Sequence, residues 1–147
     1  YRLKTVLGLG VCVKKFYFVN FGVTGFYSVP YFARLSKNNA INYSSTIFEN
    51  FSRKKKIPDL VLVDGRYRVL VGLFAYKFYF KNKKKFKIIF DDFFKVNNNK
   101  INRMHYKILK KFFKIKKIGR FGVSSEIKNE NYHLLEKNLI TYAYDPR

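Results

Sequence analysis

PDLVLVDGRYRV, from Pro58 to Val69, contains a turn, a strand and the start of a helix. Pro58-Asp59 opens it and Asp64-Gly65 halts it, so the apolar run Leu60 to Val63 is bounded on both sides by turn formers. The apolarity is continuous rather than alternating, which predicts a strand buried on both faces, as in a parallel sheet. Arg66 to Phe80 follows, with Leu70, Phe74 and Phe78 on one stripe and Val69, Leu73, Tyr76 and Phe80 on another. That double stripe predicts a largely enclosed helix. After a lysine-rich turn, Phe86 to Phe90 repeats the buried-strand pattern and ends at Asp91-Asp92.

Beyond Asp92 an asparagine-rich loop leads to Asn102 to Lys116, which predicts a helix. Its apolar face is Met104, Ile108, Leu109, Phe112 and Phe113, opposite Lys107, Lys110, Lys111 and Lys114. Gly119 to Ser124 reads as a short strand, and Tyr132, Leu135, Leu139 and Tyr142 mark a last amphipathic helix. Upstream, Phe16 to Phe21 is aromatic and β-branched and reads as a strand running into the Gly22-Val23-Thr24-Gly25 turn. Ser36 to Asn42 reads as a polar loop, with a short helix after it through Phe48 and Phe51. The alternation of strand and helix predicts an α/β layered fold with a mainly parallel sheet.

Composition narrows the function. The chain has 147 residues, enough for a single domain over 1–147, and 48% hydrophobic residues, too many for a charge-driven disordered tail. Cys12 is the sole cysteine, so there is no internal disulfide, and with only His105 and His133 a histidine-rich metal centre is excluded; no metal is expected. No apolar run approaches the roughly 18 residues of a membrane span, so no membrane span and a soluble, cytoplasmic protein are expected. Val6 to Val13 is apolar but ends at Lys14-Lys15 with no small-residue cleavage site after it. The sequence opens at Tyr1 and its only methionine is Met104, which fits a processed or truncated product.

Lys and Arg number 31 against 9 for Asp and Glu, a net charge of +22 that favours contact with phosphate backbones. Arg53-Lys54-Lys55-Lys56 precede one apolar run, and Lys81, Lys83, Lys84 and Lys85 another. Against a nucleic-acid partner stands a bland explanation. Lys, Asn, Phe, Tyr and Ile all have codons rich in A and T, and a biased genome would produce much of this composition as a solvated basic surface.

In open α/β sheets ligands lie beyond the carboxyl ends of the strands. Asp64 and the Asp91-Asp92 pair end the two clearest strands, so they are expected at one edge, where an acid can accept hydrogen bonds from a ligand or act as a base. Asp64 has a second reading as a helix N-cap. Arg66 and Arg68 can hold a carboxylate or phosphate, or pair with the acids, and Gly65 permits close backbone approach.

PDLVLVDGRYRV, then IIFDDF (Ile88 to Phe93), then RMHYKIL (Arg103 to Leu109) resemble phrases of bacterial class I S-adenosylmethionine-dependent methyltransferase-like proteins. GRFGVS (Gly119 to Ser124) and NFGVTGFYSVP (Asn20 to Pro30) look like two further phrases of that family, in the same order. The resemblance runs from about Phe16 to the C-terminus. It departs from the family pattern at Asn20, Val23, Phe26-Tyr27 and Met104, while Asp64, Gly65, Arg66, Arg68, Asp91, Asp92, Arg103 and Tyr106 keep it. What it implies is a partial Rossmann-like sheet, with Asp64 and Gly65 on the S-adenosylmethionine side and Asp91 or Asp92 as the base. Arg66, Arg68, Arg103 and Tyr106 then face an unidentified methyl acceptor. The family's glycine-rich cofactor loop has no clear counterpart; TVLGLG (Thr5 to Gly10) has only a passing likeness to it. The chain is therefore expected to bind the cofactor weakly or not at all, as a fragment or degenerate member. The rival expectation is a basic RNA-binding or organellar ribosomal protein without catalysis, and a third is an inert gene product.

Overall fold

The structure, a computed structural model, describes residues 37–144; the strand expected at Phe16 to Phe21 and the turn after it lie outside them. Helix α1 (Lys37–Arg53) leads to strand β1 (Leu60–Val63), helix α2 (Arg68–Asn82) and strand β2 (Lys87–Phe90). A 3-10 turn (Met104–Ile108) runs into the single helical turn α3 (Leu109–Phe112). Strands β3 (Lys116–Ile118) and β4 (Phe121–Ser124) follow, then a 3-10 segment (Asn129–Leu134) and helix α4 (Leu135–Tyr142).

The sheet has the order β1-β2-β4-β3. β1 and β2 pair in parallel, Leu60 opposite Lys87 and Val63 opposite Phe90, as a strand–helix–strand unit requires. The other two pairings, β2 with β4 and β4 with β3, are antiparallel. The sheet is therefore mixed, which corrects the expectation of mainly parallel strands. The cause is local. Ile118 and Phe121 pair across a two-residue turn, Gly119-Arg120, and Gly119 takes the positive φ of 60° that a tight hairpin needs. A turn that short admits only antiparallel neighbours.

Two helix expectations also change. α1 begins at Lys37, so most of the stretch read as a polar loop is helical, with Ala40, Ser44, Ser45 and Phe48 as its buried side. The helix expected over Asn102 to Lys116 is cut short. Phe113 is extended (φ −126°, ψ 145°) and bridges Ile127, while Lys114 donates its N–H to the Glu126 carbonyl. Burial of Phe113 against Phe90, with ring centroids 5.5 Å apart, pulls the chain out of the helix. Lys116 then lies on β3, and Met104, expected in the core, is exposed.

α2 is largely enclosed: Val69, Leu70, Leu73, Tyr76 and Phe78 of its two stripes are buried, together with Tyr79, while Phe74 and Phe80 are half-buried. It packs between α1 and α4 and over one face of the sheet, where Phe90 meets it at Gly72. That face carries Val63, Phe90 and Gly122 in one row and Ile88 and Ser124 in the next, all buried. On the other face Leu60 and Leu62 remain 57% and 62% exposed, so β1 is not buried on both sides. Among the described residues β1 is an end strand covered by helix on one face only.

Candidate functional site

Parallel pairing of β1 and β2 brings their acidic ends together. The Asp91 N–H donates to the Val63 carbonyl at 3.1 Å, so Asp64 and Asp91-Asp92 emerge side by side at the carboxyl edge of the sheet. The chain leaves β1 through Gly65 (φ 112°), a backbone conformation that a side chain would strain. Asp64 Oδ1 accepts the Gly65 N–H at 2.7 Å. The residue capping α2 is Tyr67, itself left-handed at φ 54°, so the N-cap reading of Asp64 is set aside.

Arg68, the first residue of α2, stitches the two strand ends together. Its Nε donates to the Gly65 carbonyl and one terminal nitrogen to the Asp91 carbonyl, both at 2.8 Å. Its guanidinium lies 3.1 Å from Asp64 Oδ1 and 3.8 Å from Asp92 Oδ2. Its charge also reaches the phenol of Tyr106, whose pKa it pulls down. Four contacts from one planar, permanently charged group on a mostly buried side chain make a rigid staple.

A second arginine closes the cluster from the β3–β4 turn. Arg120 Nε stands 2.9 Å from Asp91 Oδ1 and 3.7 Å from Asp92 Oδ1. Its terminal nitrogen donates to Asp91 Oδ2 at 3.4 Å. The 2.9 Å approach is an ion pair whose N–H is not aimed at Oδ1, so that buried oxygen is without a geometrically sound hydrogen bond. Asp92 sits at φ 50°, which turns its carboxylate toward both arginines.

Two phenols complete the surroundings. Burial pushes the Tyr106 pKa up, with Arg68 and Arg103 pulling the other way, and burial followed by the Asp64 charge raises that of Tyr43. Both are protonated at neutral pH and act as neutral polar groups.

Of the residues singled out in the sequence, Asp64, Gly65, Arg68, Asp91, Asp92 and Tyr106 are brought together here. Arg103 borders them through Tyr106, accepting its N–H at 3.0 Å. Arg66 is half-buried and lies on the same loop. Arg120 and Tyr43 were missed. Arg120 lies within GRFGVS, but no local pattern ties it to an acid 29 positions away. Tyr43 was obscured by reading the start of α1 as loop.

Neither a protein-family model nor a curated protein sequence matches the chain. Among solved structures, it is similar to a methyltransferase-like protein from Silicibacter pomeroyi DSS-3, with a TM-score of 0.66 at 23% identity over 88% of this chain. The fold is methyltransferase-like. The chain spans 61% of the length of that neighbour. In open α/β sheets ligands bind beyond the carboxyl ends of the strands, and the arginine-stitched acids lie at that edge. Among the described residues no helix is long and apolar enough to cross a membrane.

Proposed function

We propose that the chain is part of an S-adenosylmethionine-dependent methyltransferase-like protein and that the carboxyl-edge cluster is its ligand site. The observation that carries this reading is the convergence of Asp64, Asp91 and Asp92 on Arg68 at the end of a parallel strand pair, in a fold shared with a methyltransferase-like protein.

The donor set suits the cofactor's polar groups. Asp64 has a side chain 57% exposed and can accept from ribose hydroxyls or an amino group. At Gly65 an added Cβ would meet nothing nearer than the Tyr43 hydroxyl at 3.5 Å, so the backbone is open to close approach. When bound, S-adenosylmethionine supplies a methyl group on a sulfonium, and transfer needs chiefly alignment with the acceptor.

On this reading Asp64 and Gly65 hold the cofactor side. Asp92, with a side chain 39% exposed, is the better placed of the two candidate bases; Asp91 is buried beneath Arg120 and positions its neighbours. Arg68 is occupied with the acids and Tyr106 is buried, so they set the shape of the edge. Arg66 and Arg103 remain the acceptor-side groups, and the acceptor itself is unidentified.

The test is a titration of the isotope-labelled chain with S-adenosylmethionine to millimolar concentration, followed by amide chemical shifts, which register even weak binding. Expected are shifts at Asp64, Gly65, Asp91 and Asp92 that vanish in Asp64→Asn. A silent carboxyl edge, or shifts confined to another surface, overturns the proposal.

A further inference from the structure

The parallel pairing that gathers the acids at one edge gathers the segments preceding β1 and β2 at the other. Those segments are the two densest basic runs of the described chain. Lys54, Lys55 and Lys56 follow α1, and Lys83, Lys84 and Lys85 follow α2; all six are exposed. The two runs are joined across the edge by the Lys87 N–H, which donates to the Asp59 carbonyl at 2.7 Å. Separated in sequence by a strand and a helix, they form one basic ridge.

We infer that this amino edge is a binding surface for single-stranded RNA, separate from the carboxyl-edge site and independent of how that site is read.

Helix dipoles give a partial alternative account, since both runs begin at helix C-termini, where a cation is favoured. That effect fades within the last turn, whereas each run continues beyond it. Codon bias is the other alternative. Yet each run holds a lysine in the left-handed region, Lys55 at φ 52° and Lys83 at φ 49°. At Lys55 the helix ends in a Schellman pair of bonds, Lys56 N–H to the Phe51 carbonyl and Lys55 N–H to the Ser52 carbonyl. Asparagine is equally AT-rich in codons and tolerates this conformation better, so composition alone does not select lysine there.

The shape favours RNA over a lipid surface. Beside Lys83, Lys84 and Lys85 runs a groove of about 690 Å³ whose floor includes the half-buried Phe80 and Ile127. Phe80 is held in place by stacking on Tyr132 at 4.1 Å. Phosphates along the ridge with sugars and bases over an apolar floor is the arrangement that single strands use. The acid bordering the groove, Glu126, is paired with Lys114, and among the described residues none of Lys55, Lys56, Lys83, Lys84 and Lys85 is paired with a carboxylate.

The experiment is fluorescence anisotropy of a labelled uridine homopolymer against the full chain and three variants of equal charge loss. These are Lys54→Gln/Lys55→Gln/Lys56→Gln, Lys83→Gln/Lys84→Gln/Lys85→Gln, and a control, Lys100→Gln/Lys107→Gln/Lys111→Gln. Expected is a loss of about tenfold or more for either edge variant, with the salt slope reduced by about two, and less than about threefold for the control. Lysine acetylation of the unmodified protein with and without RNA gives a readout free of folding defects: protection is expected at Lys83 to Lys85 and Lys54 to Lys56. Equal losses in all three variants, protection centred on Lys107 and Lys111, absent RNA binding at low salt, or tighter binding to phosphatidylserine vesicles than to RNA would each overturn the inference.

Discussion

At the carboxyl edge of the sheet three carboxylates meet two arginines, and charge is consumed inside the protein. At the amino edge two lysine runs face solvent with hardly an acid between them. The same strand pairing builds both, and each edge carries two non-glycine residues at positive φ: Tyr67 and Asp92 at one, Lys55 and Lys83 at the other. The difference lies in what holds them. Tyr67 is 1% exposed and Asp92 faces two arginines, so packing and ion pairs over-determine the carboxyl edge. The lysines are fixed by backbone bonds alone. An edge built for internal pairing is rigid, whereas one built of solvated cations keeps its charge for a partner.

That contrast breaks most sharply at Arg68. Arg68→Met takes from the Gly65 and Asp91 carbonyls and the Asp64 and Asp92 carboxylates their shared partner, leaving Asp92, among the described residues, with Arg120 alone. With Asp64 and Asp92 partly solvated, it is expected to cost about 2–3 kcal/mol in urea unfolding, mostly from the two carbonyls left unpaired. A loss under about 1 kcal/mol would mean that the staple is ornamental.

A matched pair at equal φ comes next. Tyr67→Gly relieves about 1 kcal/mol of left-handed strain but forfeits a buried ring worth about 3 kcal/mol or more, a net loss of about 2. Lys83→Gly relieves the same strain and forfeits nothing buried, so it is expected to stabilise by about 1 kcal/mol. Thermal unfolding of both variants reads the sign directly, and equal signs would erase the distinction between the edges.

Alkali probes the tyrosine that pins the amino edge. Tyr79 donates to the Pro58 carbonyl at 2.8 Å, and burial, then the Asp59 charge, lift its pKa to about 12. Tyr76 donates to the Lys128 carbonyl at 2.8 Å and is raised to about 12 by burial, then by Glu130. A phenol that keeps its proton more tightly when folded contributes stability that is complete below its ordinary value of 10.0 and lost as the pH climbs toward 12. Denaturation between those values is expected. Tyr79→Phe should cost about 1 kcal/mol at neutral pH and make the alkaline decline shallower.

The smallest effect is expected from the lysines. Lys83→Gln/Lys84→Gln/Lys85→Gln should move stability by no more than about 0.5 kcal/mol, since exposed side chains away from packing rarely do more. A larger drop would show that the ridge serves the fold rather than a ligand.

Legibility followed range. β1, α2, β2 and β4 were readable because each is defined by a run of neighbouring residues: the apolar stretch Leu60 to Val63 between Pro58-Asp59 and Asp64-Gly65, and the double stripe from Val69 to Phe80. The acids were readable as a pair because parallel strands put equivalent ends at one edge. Arg120 was not readable as their partner, since its contact with Asp91 depends on a hairpin hidden in KIKKIGRF, a stretch (Lys114 to Phe121) whose first part fits a helix tail equally well. The lysine runs were visible, but not that they adjoin.

By itself the sequence determined where chain segments are apolar on which face, where turns interrupt them and how strongly positive the whole is, because those properties depend on residues within a turn or two of one another. Tertiary structure alone decided that β4 runs antiparallel to β2, that Phe113 leaves its helix for the core, and that Arg68 and Arg120 both pair with the acids. Pairings across tens of residues are settled by which burial and charge contacts can be met together, and no local pattern encodes that competition.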